Sequence, residues 1–159
     1  MADCGLIRSL ASRIWANTYG SILSKEQLDY MFEMMYAEGS LQKQMTHQHH
    51  QYFIISDEEG AAGYLSIEPK ENDVYNFQKI YTLPQKHGTG IGRFLIEQGV
   101  AYLKSIHPGP FTVELYVNRY NPAVGFYKHM GLKEVATRDH AIGNGYFMND
   151  YVMAMEVEN

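Results

Sequence analysis

The stretch Lys79-Ile80-Tyr81-Thr82-Leu83-Pro84-Gln85-Lys86-His87-Gly88-Thr89-Gly90-Ile91-Gly92-Arg93-Phe94-Leu95 decides how the rest of the chain is read. An apolar and aromatic run stops at Pro84, glycines alternate at Gly88, Gly90 and Gly92, and helical apolar spacing begins at Ile91. The order is strand, glycine loop, helix. Glycine lets the backbone turn sharply and approach a ligand closely. The first turn of the following helix adds unpaired N–H groups and the positive end of the helix dipole. A phosphate, above all a pyrophosphate, suits such a loop. It is not a Walker loop, because no Gly-Lys-Ser/Thr follows, and G-x-G-x-G lacks the spacing of the dinucleotide fingerprint G-x-G-x-x-G. Taken alone, the segment also fits a helix start that merely carries extra glycines.

Upstream, residues 52–56 are a β-type run, Asp57-Glu58-Glu59-Gly60 is a turn, and residues 61–68 return as the second strand of a hairpin closed by Pro69. Residues 76–83 are the strand that feeds the loop. Before the hairpin the texture is helical. Asp3 is placed to cap a helix with the apolar stripe Leu6, Ile7, Leu10 and Ile14, interrupted at Gly20 and Ser21. Ser24 and Gln27 form a capping-box start for a second helix, buried through Leu28, Met31, Phe32 and Met35 and running to Gly39; residues 41–46 suit a short third helix. Downstream, Leu95, Gly99, Tyr102, Leu103 and Ile106 keep helical spacing until His107-Pro108-Gly109-Pro110 breaks it. Residues 111–117 alternate as a strand. Asn121 can cap a helix with Pro122 at its first position, Ala123, Phe126, Tyr127 and Met130 on one face, and Gly131 past its end. Residues 132–140 and 146–157 supply two last strands. The pattern predicts an α/β (α+β) fold, one domain over residues 1–159 with a single mixed, mostly antiparallel sheet flanked by helices.

The 159 residues suit one domain. Lys plus Arg is 13 and Asp plus Glu is 18, a formal net charge of −5. That balance argues against nucleic acid and anionic membrane surfaces as partners, since both need a basic face. Cys4 is the only cysteine, which excludes an intrachain disulfide and a cysteine-based zinc site and fits a reducing compartment. No basic flank with an apolar core opens the chain, and no stretch reaches the roughly 20 apolar residues that span a bilayer, so a cytoplasmic location is expected.

A second segment, Asn121-Pro122-Ala123-Val124-Gly125-Phe126-Tyr127-Lys128-His129-Met130-Gly131-Leu132, lies one strand beyond the glycine loop. Together the two resemble the GCN5-related N-acetyltransferase (GNAT) superfamily. That family's loop reads Gln/Arg-x-x-Gly-x-Gly/Ala and its later helix Asn-x-x-Ala-x-x-Phe-Tyr-x-x-x-Gly-Phe. His87-Gly88-Thr89-Gly90-Ile91-Gly92 aligns with the loop, with His87 in place of the usual Gln or Arg; Gln85 through Gly90 fits in another register that places Leu95 less well. Asn121, Ala123, Phe126, Tyr127 and Gly131 match the helix, with Leu132 for the final Phe and the Asn-to-Ala gap one residue short. Family members begin with a strand before the first helix, and here that strand is missing or very short. The sheet edge so exposed must be left open, covered or paired with a second copy, so a homodimer is one expected arrangement.

The resemblance implies acetyl-CoA as co-substrate, with no metal, bound where the strand at 76–83 splays from the strand at 111–117. Backbone groups of Ile80, Tyr81, Thr82 and Leu83 would hold the pantetheine arm like an added strand, and the segment His87, Gly88, Thr89, Gly90, Ile91, Gly92 and Arg93 would hold the pyrophosphate. Asn121 and Ala123 complete the cofactor-binding set. The implied chemistry is direct attack of a primary amine on the thioester, its oxyanion met by a strand N–H. Tyr127 stands where the family places its general acid and also contacts the cofactor. Reference pKa values of about 10 for tyrosine and about 8.5 for a thiol make full proton transfer uphill by roughly 2 kcal/mol, so Tyr127 is expected to act as a hydrogen-bond donor.

The general base is less well marked. Many family members carry a carboxylate where this chain has Asn76 and Gln78; Glu68, on the face of Tyr64 and Ser66, and Glu114, on that of Tyr116 and Asn118, are the substitutes. His47-Gln48-His49-His50 gathers three imidazoles, but no carboxylate or cysteine stands at ligand spacing, so it is read as a polar loop. Trp15, Tyr19, Tyr30 and Tyr36 are either core or an aromatic wall for a cationic amine. The expected activity is acetyl transfer to a primary amine of a small molecule or a peptide, the acidic balance mildly favouring a polyamine-like acceptor. The competing expectation is a non-catalytic acyl-CoA-binding module.

Overall fold

The computed structural model describes residues 3–159. Three helices, α1 (Cys4–Tyr19), α2 (Lys25–Tyr36) and α3 (Glu38–Thr46), precede β1 (Gln51–Asp57), β2 (Gly60–Pro69) and β3 (Val74–Thr82). Then come α4 (Ile91–Ile106), β4 (Phe111–Asn118), α5 (Ala123–His129), β5 (Lys133–Gly143) and β6 (Tyr146–Val157). The strands form one six-stranded sheet in the order β1-β2-β3-β4-β6-β5. Every neighbouring pair is antiparallel except β3 and β4, which run parallel across the α4 crossover. Among the described residues no strand precedes α1, and β1 lies at the sheet's edge.

Alternation along the strands sorts the apolar residues into two cores. Leu65, Ile67, Phe77, Val113, Leu115 and Met153 pack beneath α4 and α5. Tyr64 and Leu83 pack on the other side with Ile7, Leu10, Ile14, Trp15, Tyr36 and Leu41 of α1 to α3. Gly99 lets α4 lie close on the sheet, since a Cβ there would fall 2.7 Å from Leu65 Cδ2.

The helical N-terminal region departs from expectation in three places. Leu6 is 41% exposed, because it sits about 100° around the helix from Ile7 and away from the sheet. Asp3 occupies the N-cap position with φ −89° and ψ 1°, outside the extended region a capping side chain needs, and makes no cap bond. Gly39 does not end α2; the backbone breaks at Ala37 (φ −56°, ψ 145°) and Gly39 lies in the first turn of α3. Ser24 does cap α2, its Oγ accepting from Gln27 N at 3.1 Å, while the Gln27 amide reaches the Phe147 carbonyl at 2.9 Å instead of closing a capping box.

One irregularity shapes the middle of the sheet. β3 and β4 pair only from Val74–Thr112 to Asn76–Glu114. Immediately beyond, Ile67 of β2 faces Phe77 while Ser66 faces Lys79, so Gln78 is an extra residue in β3. Such a bulge bends its strand and breaks pairing locally. The two parallel strands diverge from there, and a cleft opens between them.

Candidate active site

Gln78, Ile80 and Tyr81 form one wall of this cleft, Leu115, Tyr116 and Val117 the other, and Tyr19, Asn121 and Tyr127 close it. Because β3 no longer pairs with β4 here, the backbone groups of Ile80 and Thr82 not used by β2 face the gap. Leu83 differs: its N–H donates to the Ala62 carbonyl at 2.8 Å, its carbonyl accepts from Lys86 N at 2.9 Å and its side chain is buried, so its backbone is engaged within the protein. A larger hollow of about 400 Å³ flanks α4, lined by Arg93, Glu97, Val100, His129 and Met155. Tyr127 does not line it.

Tyr127 comes from the second turn of α5. That short helix starts because Asn121 Oδ1 accepts from Ala123 N at 2.9 Å, and it stops at Gly131, whose φ of +105° suits glycine alone. The Tyr127 ring is 7% exposed, and among the described residues no group hydrogen-bonds its hydroxyl. Burial, helped by nearby Tyr19, pushes its pKa well above the ordinary tyrosine range, so the group keeps its proton and can donate it in a hydrogen bond. Tyr19 shares a 2.7 Å hydroxyl contact with Tyr81, and burial pushes its pKa up to about 12.

The glycine loop follows β3 through a 3-10 turn at Pro84–Lys86. Gly88 and Gly90 adopt φ of +81° and +87°. Gly90 takes the N-cap position of α4 without any capping side chain, so the N–H groups of Ile91, Gly92 and Arg93 are free for an anion. His87 is exposed beside them, and Thr89 Oγ1 donates to the Lys86 carbonyl at 2.5 Å. Lys86 itself is clamped by Asp57 at 2.7 Å and Glu59 at 3.1 Å from the β1–β2 turn. Uncapped N–H donors, a positive helix end and a strand with an open edge fit the phosphate and amide groups of coenzyme A.

On the sheet face opposite α4, a polar row surrounds the mouth of the cleft. Glu68, Asn76 and Glu114 are register partners across β2, β3 and β4. Glu68 is engaged by His50 Nε2 at 3.4 Å and Lys70 at 3.5 Å. Glu114 Oε1 accepts from Asn76 Nδ2 and Tyr116 Oη, each at 3.2 Å. Asn76 Oδ1 and Gln78 Oε1 are buried without a donor.

Residues 21–155 match the family profile described as an acetyltransferase (GNAT) domain. The chain belongs to the GNAT family. Among solved structures, the chain is similar to the PaiA N-acetyltransferase of Thermoplasma acidophilum in complex with coenzyme A, at 18% identity over 98% of this chain and 94% of that one, TM-score 0.79. It is also similar to the ribosomal-protein-S18-alanine N-acetyltransferase of Escherichia coli (16% identity, 100% and 90% coverage, TM-score 0.72). A spermidine N-acetyltransferase chimera of Vibrio cholerae SpeG and hSSAT gives 20% identity, 98% and 91% coverage and TM-score 0.64. No curated protein matches by sequence.

Within this GNAT fold the aromatic residues of the helices are mostly core. Trp15 and Tyr36 are 2% and 0% exposed, and Tyr30 bonds the Ile142 carbonyl at 2.8 Å beside the β5–β6 turn. Only Tyr19 reaches the cleft. His47 and His49 are exposed while His50 is buried, and no group of three metal-ligating side chains forms among the described residues. Two features went unforeseen in the sequence. Lys79 is 1% exposed, its Nζ donating to Gln44 Oε1 (2.7 Å), Tyr52 Oη (2.5 Å) and the Met35 carbonyl (3.3 Å). Arg138 stacks on Tyr116 with its Cζ 3.6 Å from the ring centroid. A lysine inside an apolar strand was the available signal for the first; the second depends on β5–β6–β4 register.

Proposed function

We propose that this chain acetylates a primary amine of a small molecule or peptide, using acetyl-CoA, by direct transfer. The observation that carries the reading is the buried, proton-bearing Tyr127 hydroxyl, without a protein partner, in a cleft that opens beside an uncapped helix N-terminus. The fold shared with a coenzyme A complex and with a spermidine acetyltransferase supports it.

Bound acetyl-CoA supplies the thioester: the amine nitrogen forms the new C–N bond, the C–S bond breaks, and the sulfur leaves with the electron pair. The residues of the chain orient and balance that exchange. Backbone N–H groups at the start of α4 neutralise phosphate charge, and open-edge groups of β3 align the arm. Tyr127 holds a proton at Oη for the leaving side and stabilises developing negative charge by hydrogen bonding. On the acceptor side the amine must lose a proton, and Glu114, at the last pair before the strands part, and Glu68, its register neighbour through Asn76, are carboxylates beside the opening. The net charge of −5 keeps polyamine-like amines among the acceptors.

Asn76 and Gln78, uncharged where a base is common, favour a second reading as an acyl-CoA-binding module without turnover. Tyr127→Phe separates the two. Thiol release from acetyl-CoA with a panel of amines should fall about tenfold to a hundredfold in the variant, with coenzyme A affinity by calorimetry unchanged. A wild-type protein that binds coenzyme A but releases no thiol with any amine would sink the enzyme reading.

A further inference from the structure

The acceptor side of the cleft holds two opposite charges linked by one tyrosine. Tyr116 donates its hydroxyl proton to Glu114 Oε1 at 3.2 Å, and the Arg138 guanidinium lies over the same ring, Cζ 3.6 Å from the centroid. Asn76 Nδ2 meets the same Glu114 oxygen, so both donors converge on Oε1 and leave Oε2 to a ligand. Arg138 is held from behind. Its Nε donates to Asp150 Oδ2 at 3.3 Å, and Asp150 is 3% exposed. Arg119 donates to the Arg138 carbonyl at 3.1 Å and to the Asp150 carbonyl at 3.3 Å. Among the described residues the two terminal nitrogens of Arg138 have no acceptor, although its side chain is only 28% exposed.

A guanidinium held over an aromatic ring with its terminal N–H fork unused is suited to a carboxylate. The neighbouring surface has the opposite demand. Adjoining β3 carries two further acceptors without donors, Oδ1 of the Asn76 that bonds Glu114 and Oε1 of Gln78, both buried and costly to leave unmet. An ammonium group brings three donors. Resting on the acetyltransferase reading above, we infer that the acceptor is an amino acid, its ammonium received at Glu114 and its carboxylate by the terminal nitrogens of Arg138. Tyr116 alone lies between the two charges, its ring face 3.6 Å from Arg138 Cζ and its hydroxyl 3.2 Å from Glu114 Oε1, so the sites for an ammonium and a carboxylate adjoin. A polyamine would set a second cation against Arg138, and a peptide N-terminus has no carboxylate beside its amine. The local guanidinium therefore outweighs the acidic balance of the whole chain in choosing the acceptor.

Matched pairs test this: amino acids, their decarboxylated amines and their amides, with spermidine alongside, assayed by thiol release from acetyl-CoA. The preferred amino acid should exceed its decarboxylated amine in kcat/KM by about tenfold to a hundredfold, the range for a lost charge-assisted hydrogen bond. Arg138→Gln should raise the amino-acid KM by a similar factor and leave the amine's KM unchanged. Arg138→Lys keeps a charge beside buried Asp150 and guards against a folding defect. It lacks the planar fork, so the amino-acid KM should still rise while the melting temperature holds. Preference for spermidine or a decarboxylated amine, or an amino-acid KM indifferent to both substitutions, overturns the inference and leaves the acetyltransferase reading standing. Failure to bind coenzyme A at all overturns both.

Discussion

The two walls of the cleft offer a ligand different material. Along β3 and the glycine loop the groups are backbone N–H and C=O, freed by a bulge at Gln78, a positive φ at Gly90 and an uncapped α4. Across the mouth, on β4, β6 and β5, they are side chains: Glu114, Tyr116 and Arg138, steadied by Asn76, Asp150 and Arg119. A backbone wall depends on chain path and tolerates varied side chains, whereas a side-chain wall changes specificity with a single substitution. Damage to the first should weaken coenzyme A binding; damage to the second should change which amine is accepted.

The largest effect expected lies behind both walls, at Lys79. It follows the bulge and ties β3 to α2 and α3 through the Met35 carbonyl and Gln44. Burial pulls its pKa down to about 7, although three acceptors and the face of the Tyr36 ring 4.3 Å away support the charged form. In the unfolded chain the same amine stays protonated to the ordinary value of 10.5. Between those values the unfolded state binds more protons, so stability should rise with pH from about 7 upward, by up to a few kcal/mol. Buried tyrosines such as Tyr36 and Tyr64, with pKa raised from the ordinary 10.0, act in the opposite sense once the unfolded phenols ionise near pH 10, so the comparison is made below pH 10. Urea midpoints at pH 7 and pH 9 should increase for the wild type and stay level for Lys79→Met. Equal movement in both proteins would remove Lys79 as the titrating group.

Gly90→Val probes the backbone wall directly. A β-branched residue at φ +87° is strained by about 1–3 kcal/mol, and the start of α4 must shift to relieve it. Coenzyme A affinity should drop about tenfold or more while the acceptor KM stays put. If the acceptor KM moves instead, the division between the walls is wrong.

The same division explains what could be read in advance. Gly88, Gly90, Pro122 and Gly131 are backbone devices, and each restricts the chain locally enough to be recognised from its neighbours; the order of elements along the chain and the start of α4 followed from them, whereas the strand order within the sheet did not. The side-chain wall was legible only in part. Glu114 and Tyr116 share a face by simple alternation, but Arg138 joins them through pairings with Asp150 and, beyond it, Asn118, a register no local pattern specifies. Lys79 was hidden by the bulge: Gln78 turns Phe77 and Lys79 to opposite cores, where unbroken alternation would put them on one face. Leu6 was misplaced because the stripe drifts toward Cys4 and Trp15.

The smallest expected effect tests the one place where side chains support the backbone wall. Lys86 lies inside the loop, its ammonium clamped between Asp57 and Glu59 and its carbonyl accepting from both Thr89 N at 3.3 Å and Thr89 Oγ1 at 2.5 Å. The clamp hangs the glycine loop on the β1–β2 turn. It also sets two carboxylates near a site for phosphate, so its two consequences oppose each other. If the clamp positions the loop, Asp57→Asn combined with Glu59→Gln should raise the KM for acetyl-CoA by about two- to fivefold, as befits partly exposed ion pairs, and the rise should fade at high salt. If the acids chiefly repel phosphate, the same double variant should lower that KM. The positioning role is the stronger of the two, because Lys86 is only 12% exposed at its side chain and already neutralises most of the acids' field. A fall in KM at low salt would therefore show that the backbone wall stands without side-chain help.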